Sequence, residues 1–263
     1  MVPVAAIVLM ALTVIVCIAL PFGGAVLLLR RFGKVGRAFW CGMLAFFVSQ
    51  VVLRIPLMTI VVPTMDEPFK GILLSAPVAS FSAGLFEETG RLVVMVLLMK
   101  AFHRLADGVA FGLGHGGLEA ILLVGLVNLN NLVIAVMMNT GQWPAVTRTL
   151  TPEVAAQIEK AMTQTSWWDF GLAGLERIGA IGLHIALSLV VLAGIVHGRK
   201  LLAWVVAVVV HGVVNLGVIS AVQAKVPIAV VEFALIAVVA ILLIGVVRRL
   251  GPTFPTTVAV DAS

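Results

Sequence analysis

Seven long apolar runs divide the chain, near residues 3–29, 38–64, 71–101, 109–139, 170–197, 201–222 and 227–247. Each is long enough to cross a hydrocarbon core about 30 Å thick, which takes roughly 20 helical residues. Glycines, prolines and isolated charges interrupt several of them. None shows the alternating apolar and polar pattern of an outer-membrane strand. Backbone surrounded by lipid must satisfy its own hydrogen bonds, and a helix does so within one segment. The pattern predicts an all-α, polytopic transmembrane helical bundle of about seven spans. A single transmembrane domain is expected over 1–250, followed by a short disordered cytoplasmic tail over 251–263.

Composition sharpens this picture. Of 263 residues, 62% are hydrophobic and 11% charged, against about half and a quarter in soluble domains. A water-soluble fold of this size could not hide so much apolar surface. The charges also orient the bundle, because Lys and Arg gather on cytoplasmic loops. Arg30, Arg31, Lys34 and Arg37 follow the first span, Lys100 and Arg104 the third, Arg199 and Lys200 the fifth, and Arg248 and Arg249 the seventh. The intervening loops hold only Lys70, Arg148, Lys160 and Lys225. The N-terminus is therefore expected outside and the C-terminus in the cytoplasm, as a multi-pass protein of a bacterial plasma membrane. The net charge of +5 suits anionic lipid headgroups and calls for no nucleic-acid partner.

The first span has no basic leader and no clean small-residue cleavage site, and reads as a retained anchor. Cys17 and Cys41 offer neither a metal motif nor a disulfide framework. The longest stretch between spans, about 141–169, contains Thr151-Pro152-Glu153, which predicts a capped short helix to about Thr163. Trp143, Trp167 and Trp168 suit the outer membrane interface. Nothing in the sequence fixes the oligomeric state.

Candidate chemistry sits inside the spans, where ionisable groups are expensive and mark function. The third span carries Glu87-Glu88-Thr89-Gly90-Arg91, and the fourth Gly114-His115-Gly116-Gly117 with Glu119. The fifth carries Glu176-Arg177 and then His184 and Ser188, and the sixth His211 and Asn215. Residues four apart share a helix face. That spacing joins Glu87 to Arg91, His115 to Glu119, His184 to Ser188 and His211 to Asn215. Four polar stripes facing lipid would be costly, so they are expected to converge, with the glycines around His115 allowing close backbone approach. Two adjacent carboxylates in an apolar span cannot both be ionised cheaply; one can pair with Arg91 and leave the other as a base. A structural ion pair is the plainer account of Glu176-Arg177. Gln50 and Arg54 in the second span either snorkel or line a cavity. Asn128, Asn130 and Asn131 are expected to bond between helices.

The ordered set EExxR (Glu87, Glu88, Arg91), FxxxH (Phe111, His115) and HxxxN (His211, Asn215) resembles the CAAX protease and bacteriocin-processing superfamily of intramembrane proteases. The string 114–120 with an Glu-Arg pair and an HxxxS helix before the last motif is similar to its YhfC branch. The resemblance covers about residues 1–250. CAAX enzymes usually place the arginine one residue later, and the shorter spacing here is shared with PrsW-like relatives. It argues for a side branch and against a prenylated substrate. The resemblance implies a membrane protein or peptide substrate within the lipid bilayer. It implies Glu87 as general base with His115 as its partner, Arg91 orienting the carboxylates, and His211 and Asn215 stabilising the oxyanion. Glu88 belongs to the same set, with Glu119, His184, Ser188, Glu176 and Arg177 in support. A metal-free, glutamic mechanism without cofactor is the first expectation, since the HExxH zinc helix is missing. The alternative is zinc held by His115, His211 and Glu87 or Glu119. An ion-coupled transporter or a non-catalytic membrane scaffold would carry similar buried charges.

Overall fold

The computed structural model describes residues 1–258. The described residues run as seven long helices, with the longest connection over 140–166: α1 (Val4–Phe32), α2 (Gly36–Thr64), α3 (Ala76–Leu98), α4 (Leu105–Asn139), α5 (Trp167–Val196), α6 (Lys200–Gln223) and α7 (Ile228–Leu250). No strand occurs among the described residues. Six of the seven, all but α3, are long and apolar enough to cross a membrane. Helix α3 has 23 residues, about 35 Å at 1.5 Å per residue, but it carries Glu87, Glu88 and Arg91. Those charges are turned into the bundle, so its remaining surface is as apolar as that of its neighbours.

Helix α5 is the axis. Two thirds of its apolar window (67%) is buried, against 28% or less for the other five apolar helices. Helices α1, α4, α6 and α7 all pack on it, while α2 lies against α4 and α6 against α3. The outward faces keep exposed Val, Leu, Ile and Phe, as expected of helices that are apolar all round and solvated by lipid.

The close packing comes from glycine. A methyl group on Gly114 would collide with the Phe39 carbonyl oxygen of α2, and one on Gly112 with the backbone of Ile185 in α5. At Gly117 it would strike Pro21, the proline inside α1. Helix α4 thus lies backbone to backbone with α2 on one side and α5 on the other, and against the Pro21 ring of α1. At the basic end of the bundle, Arg104 pairs with Asp107 at 2.8 Å. The same guanidinium donates to the carbonyls of Phe32 at 2.9 Å and Gly33 at 3.1 Å, tying α1 to α4.

Three stretches depart from α geometry. In α2, residues Phe47–Arg54 and Leu57–Val61 are wound as π-helix, and in α4 so are Ala120–Gly125. Wider turns of this kind re-aim side chains and recur at functional sites. Between the spans, the helix expected after Thr151 runs Pro152–Gln164, with the Thr151 hydroxyl accepting from Val154 N at 3.4 Å. The expected tail needs a correction at its start. Gly251–Thr253 forms a 3₁₀ turn and Phe254 is buried against the core, because its ring finds an apolar seat there. Residues 259–263 lie outside the described residues.

Candidate active site

The polar stripes of α3, α4, α5 and α6 meet at mid-depth. Glu87 stands eleven residues from the start of α3, about 16 Å along the helix. Glu87 is 4% exposed and its carboxylate has four neighbours. His115 Nε2 is 3.0 Å from Oε2, and Gln50 Nε2 donates to Oε1 at 2.6 Å. The Nε2 atoms of His184 and His211 each lie 3.9 Å from a Glu87 oxygen. The three imidazoles form a row, with ring centroids 4.6 Å apart for His115 and His184 and 5.3 Å for His184 and His211.

A second tier holds this first one. Arg91 pairs with Glu88 through two hydrogen bonds, of 2.7 and 3.1 Å, and all of both side chains is buried. The same guanidinium donates to the His184 carbonyl at 3.1 Å, to Ser188 Oγ, and to His184 Nδ1 at 3.0 Å. Ser188 Oγ in turn donates to the His184 carbonyl at 2.6 Å. Glu88 Oε1 lies 2.9 Å from His211 Nδ1. On the far side, Glu119 reaches His184 Nε2 at 2.6 Å and Arg177 at 3.0 Å, and Arg177 is also bonded to Glu176. Every buried charge in the cluster therefore has an opposite partner or a charge-assisted hydrogen bond, which is what burial of charge demands.

The i, i+4 expectations are corrected at two points. Arg91 bonds Glu88, three residues away, and leaves Glu87 to the histidines; the fork geometry of the guanidinium matches the carboxylate that shares its buried face. His115 does not bond Glu119. Its ring turns to Glu87, while Glu119, at the edge of the π stretch, crosses to His184 and Arg177. Asn128 donates back to Val124 of its own helix and makes no interhelical bond among the described residues. His211 and Asn215 do share a face, and both line a cavity of about 310 Å³ with Glu87, Glu119, His184, Arg177 and Arg54. Asn215 is half-buried, with its amide unengaged among the described residues.

Donor atoms of Glu87, His184 and His211 all lie within 4.8 Å of one another. This set differs from the one expected from sequence by taking His184 where His115 stood. Zinc bonds of about 2.0–2.2 Å to nitrogen and oxygen require donors a little closer than this, within reach of small side-chain rotations. His211 is ready for such a role. Its Nδ1–H points at a carboxylate and its Nε2 lone pair at Glu87, the usual arrangement behind a metal-bound imidazole. His184 is less ready. Arg91 can only donate, so Nδ1 accepts and the ring proton sits on Nε2, toward Glu119. To ligate through Nε2 the ring must instead carry its proton on Nδ1, which requires Arg91 to release that nitrogen. The residues fit a divalent ion, with His184 as the adjustable member.

Sequence reading also underrated three residues. Gln50, brought to Glu87 by the π stretch of α2, could not be placed without that local winding. Asp107 joins Arg104 in the clamp at the basic end. Glu232 in α7 is buried, with Oε2 unpartnered among the described residues; a lone Glu in an apolar run was the only signal.

Fold and site define a polytopic membrane protein with a buried Glu–His cluster at mid-depth. The chain belongs to the YhfC intramembrane metalloprotease family, whose model matches residues 16–242. It is 34% identical over 219 residues to the uncharacterized membrane protein YhfC of Bacillus subtilis (strain 168), covering 80% of this chain and 83% of the relative. No solved structure matches it.

Proposed function

We propose that this chain is an intramembrane metallopeptidase that hydrolyses peptide bonds of membrane-associated proteins or peptides. One observation carries the reading: Glu87, His184 and His211, from three helices, bring their donor atoms within 4.8 Å of one another beside a cavity. The family's description supports it. With it we propose seven spans, α3 being the seventh, in a plasma membrane with the N-terminus outside and the C-terminus cytoplasmic, as the basic loops dictate. Placement in the wider CAAX protease superfamily rests on the order EExxR, FxxxH, HxxxN.

Glu87, His184 and His211 would hold the ion, which when bound supplies a Lewis acid for the scissile carbonyl or for a water. The rest of the work falls to the protein. Glu88 accepts the Nδ1–H of His211 and so fixes its tautomer; Arg91 holds Glu88 and ties it to α5. Glu119, steadied by Arg177, accepts a hydrogen bond from His184 Nε2 and would release that nitrogen to the ion. His115, against Glu87, is placed to carry a proton between that carboxylate and a leaving amine. Asn215 offers N–H donors to an oxyanion at the cavity wall.

A metal-free glutamic mechanism is the second reading. Two contacts favour it: the 3.0 Å approach of His115 to Glu87, a base with its partner, and the Arg91 donation that leaves His184 Nε2 protonated. Chelation separates the two. Purified protein in proteoliposomes with a library of transmembrane substrates should lose cleavage on exhaustive chelation and regain it on adding zinc. Full activity after chelation would leave only the glutamic reading, and no cleavage under any metal condition would remove both.

A further inference from the structure

The cavity beside Glu87 has a direction. On α3 its lining runs from Glu87 back to Ala79, toward the start of that helix. On α5 it runs from His184 back to Glu176, again toward the start, and on α6 from His211 onward to Ile219, toward the end. Successive helices run antiparallel, so all three directions are one direction. It leads to the end of the bundle that carries the 140–166 connection, away from the basic loops. Arg54, in the second half of α2, and Leu235, in the first half of α7, line the same end.

The other side of the cluster is closed. Phe46, Met95, Met99, Phe111, Leu187 and Leu192 fill it, each 1% exposed or less. None of them lines the cavity. Arg54 adds a sign that the open side is wet. It donates to Ser82 Oγ at 3.2 Å, Gln50 Oε1 at 3.3 Å and the Ala79 carbonyl at 2.7 Å. All three acceptors are neutral, and no carboxylate lies within ion-pair distance of it among the described residues. A guanidinium inside a membrane protein with spare N–H donors and no counter-charge belongs beside water or an anion.

We propose that the site exchanges water and substrate with the extracytoplasmic side alone, and that its substrates are the outer juxtamembrane flanks of other membrane proteins. The side follows from the cavity's direction together with the basic loops; the substrate class rests on the peptidase reading above. A cytoplasmic peptide segment would have to pass the packed aromatic and aliphatic floor to reach Glu87, whereas an extracytoplasmic one meets only the vestibule.

Thiol labelling tests the side without any assay of activity. In a background with Cys17 and Cys41 replaced by alanine, single substitutions Ala79→Cys and Val218→Cys place thiols on the vestibule wall. Met95→Cys places one in the floor, and Gln157→Cys one on the exposed connection. A charged, membrane-impermeant methanethiosulfonate is applied to intact cells and to inside-out vesicles. The wall positions and Gln157→Cys should react severalfold faster in intact cells, and Met95→Cys should resist from both sides. Wall labelling from inside-out vesicles only would overturn the proposal, as would unreactive wall positions in protein whose Gln157→Cys labels normally. In the cleavage assay, cuts should map to the outer flank of the substrate; cuts at its cytoplasmic flank would overturn the substrate class. Outside labelling with no cleavage of any substrate would sink the peptidase reading and leave the side of access standing.

Discussion

Between the Glu87 cluster and the basic loops, α2, α4 and α5 approach until Gly42, Gly112 and Gly114 have no room for a methyl group. Phe46, Phe111, Met95 and Leu187 complete a solid floor. On the other side of the same cluster α6 parts from α7. A methyl group at Gly217 of α6 would meet nothing within 4 Å, and an apolar groove between α6 and α7 shares Val214, Val218 and Leu235 with the polar cavity. The contrast shows how one bundle meets opposing demands. Chemistry on buried charges needs groups fixed by rigid packing, and hydrolysis needs water and a bulky substrate at those same groups. Here the floor supplies the first and the vestibule the second, and the Glu–His cluster lies on the boundary.

Substitutions placed on the two sides should therefore behave differently. The largest effect is expected at the top of the floor. Arg91→Ala leaves the buried Glu88 carboxylate with His211 as its one remaining partner among the described residues and frees the α3–α5 contact, which should cost about 3–5 kcal/mol. Arg91→Lys should recover only part of this, because an ammonium cannot reproduce the two-pronged bond to Glu88. Denaturation in detergent micelles measures both; a stable Arg91→Ala protein would mean that the floor does not depend on this pair. At the boundary, Glu87→Gln removes an anionic ligand of the proposed ion, or the base of the glutamic reading, and should lower cleavage at least about 100-fold, or about 2.7 kcal/mol of transition-state stabilisation. It should leave the denaturation midpoint close to that of the parent protein, and a matching fall in stability would move Glu87 from chemistry into the scaffold. In the floor, Gly114→Ala forces a methyl group onto the Phe39 carbonyl and should destabilise by about 1–3 kcal/mol. Gly217→Ala, on the open side, is expected to change stability by no more than about 1 kcal/mol and in the favourable direction, since alanine is the better helix former. Equal losses at the two glycines would abolish the distinction between the halves.

Much of this was legible in the sequence because lipid simplifies the problem. Seven apolar runs gave seven helices with ends displaced by a few residues, and the polar residues interrupting them marked the inward faces. The convergence of Glu87, His115, His184 and His211 followed from the cost of showing them to lipid. Which group bonds which did not follow. Shared faces suggested Glu87 with Arg91 and His115 with Glu119, but Arg91 found Glu88 three residues away, and His115 and Glu119 found partners on other helices. Local winding was hidden too: nothing in Phe47–Arg54 announces a π-helix, yet that turn delivers Gln50 to Glu87. His184 read as a supporting residue because it could equally serve as a helix–helix hydrogen bond, and it does bond Arg91 and Glu119 of other helices. Its place beside His211 depends on how α5 and α6 cross.

The central claim is that Glu87, His184 and His211 together hold a divalent ion, and metal content measures it most directly. Parent protein purified without chelator should carry close to one zinc or similar ion per chain by elemental mass spectrometry. His184→Ala and His211→Ala, prepared in parallel and checked for folding, should each lose most of it, while Asn215→Ala should keep it. Folded parent protein with no stoichiometric metal, taking up none on exposure to zinc, would contradict the account.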